Sequence, residues 1–94
     1  MPVIGKYGMM RKSYLKEHRD GIYTGMLISG KLSSHLQEVD RSAREMMENL
    51  TRELAKKAGI TENLKAQDQM KWVRMMNSVR NQAEEIVLNE LIYN

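Results

Sequence analysis

Two runs of apolar positions dominate the second two-thirds of the chain. Leu32, Leu36, Val39, Ala43, Met46 and Leu50 alternate steps of four and three, and so do Trp72, Met76, Val79, Ala83 and Ile86. That alternation is the seam of a heptad pattern and predicts two long helices, Lys31–Ala58 and Thr61–Tyr93, each burying one stripe. The second stretch contains neither Gly nor Pro, and Thr61 followed by Glu62 supplies an N-cap with an acid in the first turn. Lys56 and Lys57 suit the last turn of the first helix, Gly59 a left-handed C-terminal cap, and Gly59-Ile60-Thr61 a short helix-to-helix connection. The expected skeleton is an antiparallel hairpin. A helix from Thr61 to Tyr93 would be roughly 45–50 Å long, so the molecule should be elongated.

Met70, Val73, Val87, Leu88, Leu91 and Ile92 lie beside or across from the second seam, and one partner helix cannot cover them all. This leftover apolar surface predicts a homodimer that closes a helical bundle through Trp72, Met76, Ile86, Leu88, Leu91 and Ile92. The first thirty residues read differently. Five of the six glycines precede residue 31, which makes the front irregular. After a lead to about Gly8, Met9–His18 fits a short helix with Met10, Tyr14 and Leu15 inside and Arg11, Lys12 and Lys16 outside. Asp20-Gly21 then reads as a turn. Ile22–Ser29 is apolar and compatible with helix, and the sequence leaves open whether Gly30 ends it or lies inside a longer one. The fold class is therefore all-α: a single helical domain, 1–94, with a basic, glycine-containing segment (1–30) and a long helical hairpin (31–94) whose loop falls near 58–61.

Charge is segregated in the same way. Of 15 basic and 12 acidic residues, the first 31 positions hold Lys6, Arg11, Lys12, Lys16, Arg19 and Lys31 against only Glu17 and Asp20. These bases alternate with Tyr7, Tyr14 and Tyr23, a composition suited equally to phosphate contacts with stacking and to a solvated arm. On the second long helix, Lys71, Arg74, Asn77, Ser78 and Asn81 form a polar stripe that can face either a groove or water. The candidate nucleic-acid contacts are thus Lys6, Arg11, Lys12, Lys16 and Arg19, assisted by Lys71 and Arg74.

Catalytic chemistry finds little support. The chain has no Cys, which excludes disulfides, thiolate metal sites and a Cys nucleophile. Its two histidines, His18 and His35, match no zinc spacing, and there is no phosphate-cradling glycine loop or nucleophile elbow. The expectation is a protein that is not an enzyme and uses no metal or cofactor. The opening MPVIGKYGMMRK lacks an apolar core, and no window approaches 18 apolar residues, so a cytoplasmic address away from membranes is expected.

The stretches KYGMMRKSYLKEHRDGIY, LISGKLSSHLQEVDRSARE and ITENLKAQDQMKWVRMMNSVRNQAEEIVLNELIY resemble the transposon-encoded TnpV family, most specifically in SGKL, LKAQDQMKWV and EEIVLNELIY. The resemblance implies an excisionase-like accessory protein of a mobile element with a helix-turn-helix, and it carries over no catalytic motif. Asp20 stands where the family pattern has the proline of HRPG. Together with the charge segregation, this points to a DNA-binding accessory protein or recombination regulator. The alternative is a small helical inhibitor or adaptor that binds a protein, either a host or phage enzyme or the element's own recombinase.

Overall fold

The computed structural model describes residues 4–94, and among them every regular element is helical. The order is α1 (Lys6–His18), α2 (Asp20–Ser29), α3 (Leu32–Lys57), α4 (Glu62–Gln67) and α5 (Gln69–Val87), which runs on into a π-helical turn, Leu88–Ile92. The molecule measures 55 × 26 × 18 Å and is elongated as the periodicity required.

The α3 seam is where the heptad pattern put it. Leu32, Leu36 and Ala43 are buried, and Val39, Met46 and Leu50 are half-buried. The helix ends at Gly59, whose φ of 72° only glycine adopts readily. There Gly59 N–H donates to Lys56 O and Ile60 N–H to Ala55 O. Gly30 does the same for α2: at φ 74° it stops the helix, with Lys31 N–H reaching back to Met26 O.

Four expectations need correction. Thr61–Tyr93 is not one helix, because Asp68 leaves helical geometry (φ −148°, ψ 85°) and its Oδ1 accepts from Lys71 N at 3.1 Å, capping a new helix. Across the break, Lys65 Nζ stands 4.7 Å from the Trp72 ring centroid. The buried line of α5 is Val79, Ala83 and Val87, stepping by four, whereas Ile86 is 38% exposed. In the π turn Tyr93 N–H bonds to Leu88 O, and this wider spacing brings Ile92, five residues on, to the same face as Val87. Third, α1 begins at Lys6, not Met9; the predicted lead over residues 1–3 lies outside the described residues. Fourth, Asp20-Gly21 does not form a turn after α1. Arg19 alone (φ −136°, ψ 53°) separates the helices, and Asp20 opens α2.

What starts α1 at Lys6 is a residue of α3. The buried Asp40 accepts from Gly8 N through Oδ1 at 3.0 Å and takes Arg44 Nε on Oδ2 at 3.0 Å. Gly5 offers no side-chain cap, so this carboxylate satisfies an α1 amide that has no partner within its own helix. The approach needs glycine: a Cβ on Gly5 would lie 2.8 Å from Asp40 Oδ1, and one on Gly8 would lie 3.0 Å from Leu36 O. Tyr7 of α1 then meets Ala43, Val87 and Ile92 in the core, flanked by Met10, Val39, Met46, Met47, Leu50, Leu88 and Leu91.

Replacing Asp40 with Ala leaves the buried amide unpaired, and replacing Gly8 with Ala pushes a methyl against backbone. Each change is expected to lower unfolding free energy by about 1–3 kcal/mol. Urea denaturation followed by circular dichroism should show a lower midpoint with an unchanged slope for both.

Candidate nucleic-acid interface

The predicted basic residues do not form one surface. On α1, Tyr7, Arg11 and Leu15 recur every four residues, and all three are buried. Arg11, expected outside, points inward. Its Nη1 donates to Ile92 O at 2.8 Å and to Asn94 O and Oδ1, both at 3.1 Å, while Nε donates to His35 Nε2 at 3.4 Å. Burial lowers the pKa of Arg11 from its usual value, yet the group stays charged because four acceptors surround it. It acts as a clamp on the π turn, not as an open phosphate ligand. The i, i+4 spacing from Tyr7 to Leu15 was the available signal.

The remaining bases of the N-terminal third are distributed around that clamp. Lys6 pairs with Glu84 of α5 at 2.7 Å, and this hydrogen bond raises its pKa. Lys12 is half-buried beside Leu27, Leu32 and Leu36, in a groove between α1, α2 and α3. Lys16 is exposed with Nζ 5.8 Å from the Tyr23 ring centroid, and Arg19, at the junction of α1 and α2, is exposed as well. With Lys31 beyond the end of α2, these residues make a basic end, and Glu17 and Asp20 are the two acids in the same stretch of sequence.

Lys71 and Arg74 belong to the other end. They are exposed along with Asn77, Ser78 and Asn81. From Arg74 to Ile92, the residue that Arg11 holds, the chain advances roughly 27 Å of helix. The two groups are therefore separate surfaces.

The candidate dimer residues also divide. Ile92 is fully buried in the chain's own core, and Leu88 and Leu91 pack against it half-buried. The C-terminal turns are consequently not leftover surface, because α1 and α3 already cover them. Trp72 and Met76 are half-buried, and Ile86 is partly exposed. The largest exposed apolar group falls where no interface was expected: α2 has no buried residue, and Ile22, Leu27 and Ile28 are 49%, 56% and 82% exposed.

Tyr14 lies between His18 and Tyr93, with ring centroids at 5.2 and 5.5 Å, and these rings line a shallow groove of about 570 Å³ with Met9, Met10, Ser13 and Glu17. Among the described residues no helix is long and apolar enough to cross a membrane.

These features define a small, elongated, all-helical protein with a three-helix core beneath a basic end. The chain belongs to the family of the transposon-encoded protein TnpV, whose profile matches residues 2–92, and it is thus a transposon-associated protein. No curated protein and no solved structure matches it.

His35 shows how closely the basic end is tied to stability. Burial, and then the charge of Arg11, hold its pKa below the ordinary 6.5. The unfolded chain therefore takes up this proton first as pH falls. The resulting stability is present above about pH 6.5 and declines below it, since the unfolded state binds more protons in that window. Urea midpoints measured between about pH 7.5 and 5.5 should fall with pH, and His35→Gln should flatten that dependence.

Proposed function

We propose that this chain is a non-catalytic accessory protein of a mobile element, acting in the cytoplasm as a homodimer and binding DNA in an excisionase-like or recombination-regulating role. The observation that carries this reading is the exposed cluster at the α1–α2 end. Lys16 and Arg19 stand free of carboxylate partners there, with Lys12 and Lys31 beside them. The three arginines of α3 are by contrast matched: Arg41 pairs with Glu38 and Glu45, Arg44 with Asp40, and Arg52 with Glu48. Phosphate contact needs cations that are free to exchange their counterions, and the α1–α2 end supplies them. Membership in a transposon-encoded family gives DNA as the natural polyanion.

A second reading, a helical adaptor that binds a host, phage or recombinase protein, is favoured by the exposed isoleucines of α2. In that case α2 would be the contact, and changing Ile28 to Ser would abolish capture of the partner without touching DNA binding.

The decisive experiment is binding to labelled duplex DNA across a salt series. Affinity should fall steeply with salt, and a Lys12→Ala, Lys16→Ala, Arg19→Ala triple variant should weaken binding and flatten the log–log slope by about two to three. Lys71→Ala with Arg74→Ala should leave the slope nearly unchanged. Binding that is absent at low salt, or indifferent to salt, would remove DNA from the reading.

A further inference from the structure

Helix α2 is apolar in composition, yet it has no buried residue, and only Tyr23 and Met26 are even half-buried. At 3.6 residues per turn those two share one side of the helix, and Ile28 falls on the opposite side. Its side chain is 82% exposed, the highest value among the large apolar residues described. Gly21, Thr24 and Gly25 lie on the same side as Ile28, and a Cβ at either glycine would meet nothing within 4 Å. Ile28 is therefore a single large apolar side chain standing on a low face, with Ile22 and Leu27 about half exposed on its flanks.

Cations border this helix on every printed contact it makes with a base. Arg19 immediately precedes α2, and Lys31 follows the Gly30 that ends it. Lys16 Nζ lies 5.8 Å from the Tyr23 ring centroid, and Lys12 lines one groove with Leu27 and Gly30. None of the four takes part in an ion pair among the described residues. Of the two acids in this stretch, Asp20 occupies the first turn of α2, where it answers the helix dipole, and Glu17 lines the groove of Tyr14 and Tyr93.

We propose that Ile28 is a wedge that enters between two base pairs of duplex DNA from the minor groove, while Arg19, Lys31, Lys16 and Lys12 hold the phosphates around it. The proposal rests on the DNA-binding reading above and specifies how the α1–α2 end meets the duplex. Charge and shape select the occupant together. Unpaired cations call for a polyanion, and one projecting isoleucine suits a narrow apolar slot better than the broad apolar face that a lipid surface or a protein groove would engage. A base step is such a slot, framed by phosphates on both strands. Without side chains at Gly21 and Gly25 the helix backbone can come close to the groove walls. The ten residues of α2 span roughly 15 Å, so the cations at its two ends reach phosphates about four base pairs apart. Opening a step costs stacking energy, which the phosphate contacts offset, and the cost is least at flexible pyrimidine–purine steps.

Unstacking a step unwinds the duplex, and this gives a readout that needs no known target sequence. A nicked plasmid is sealed by DNA ligase in the presence of the full chain, stripped of protein, and its linking number compared with that of plasmid sealed alone. The wild-type chain should lower the linking number in proportion to the protein bound. Ile28→Ser should keep less than about a third of that change while binding with the same salt slope, because its cations are intact. Ile28→Met, which retains an apolar wedge, should keep most of it. The position is exposed, so helical circular dichroism should be the same for all three chains. A wild-type chain that binds the plasmid without changing its linking number, or an Ile28→Ser chain that changes it as much as the wild type does, overturns the wedge and leaves the phosphate contacts standing; α2 then falls to the protein-binding reading. Absence of duplex binding at low salt sinks the DNA reading itself, and the wedge with it.

Discussion

The contact on which the arrangement depends is a carboxylate at a helix start. Asp40 of α3 is 3% exposed, and it is tolerated there because α1 offers an unpaired amide at Gly8 and the positive end of its backbone dipole, while Arg44 takes the other oxygen. Two glycines make the approach close enough to bond. Once α1 begins at that point, its register follows: Tyr7 enters the core, Arg11 comes four residues later at the C-terminal turn, and Leu15 is sealed four residues after that. A local cap thus sets a tertiary position.

Arg11 extends the same logic to the far end of the sequence. The π turn at Leu88–Ile92 brings Ile92 into the core and presents its carbonyl to the guanidinium, which also holds the backbone and side chain of Asn94. A charge-assisted, multiply bonded arginine in a part-buried site ties α1 to the end of α5 and replaces solvent with fixed acceptors. The cation most central to the basic segment is in this way withdrawn from the surface.

The molecule is unequal along its length. One end has three packed helices and all but one of the buried apolar side chains, Val79 being the exception at the boundary; the other has two helices, a short α4 and half-buried methionines. Apolar burial is what offsets chain entropy in so small a protein, so the packed half supplies most of what holds the chain folded.

Periodicity and capping chemistry determined the all-helical class, the extent and buried face of α3, the loop at Gly59, and the elongated shape, because each follows from side chains within one or two helical turns of each other. The glycine at position 30 could end or continue a helix on local grounds, and only its left-handed φ in the folded chain decided the matter. The break at Asp68 was written in a capping residue, but a stretch free of Gly and Pro on both sides of it favoured continuity. What the sequence could not assign was the third dimension of α1. Its Arg11 is one base among six by composition, and it becomes an interior clamp only because Ile92 and Asn94, about eighty positions away, bring their oxygens to it. Spacing along a chain tells which residues share a face; which face meets which is settled by contacts between elements.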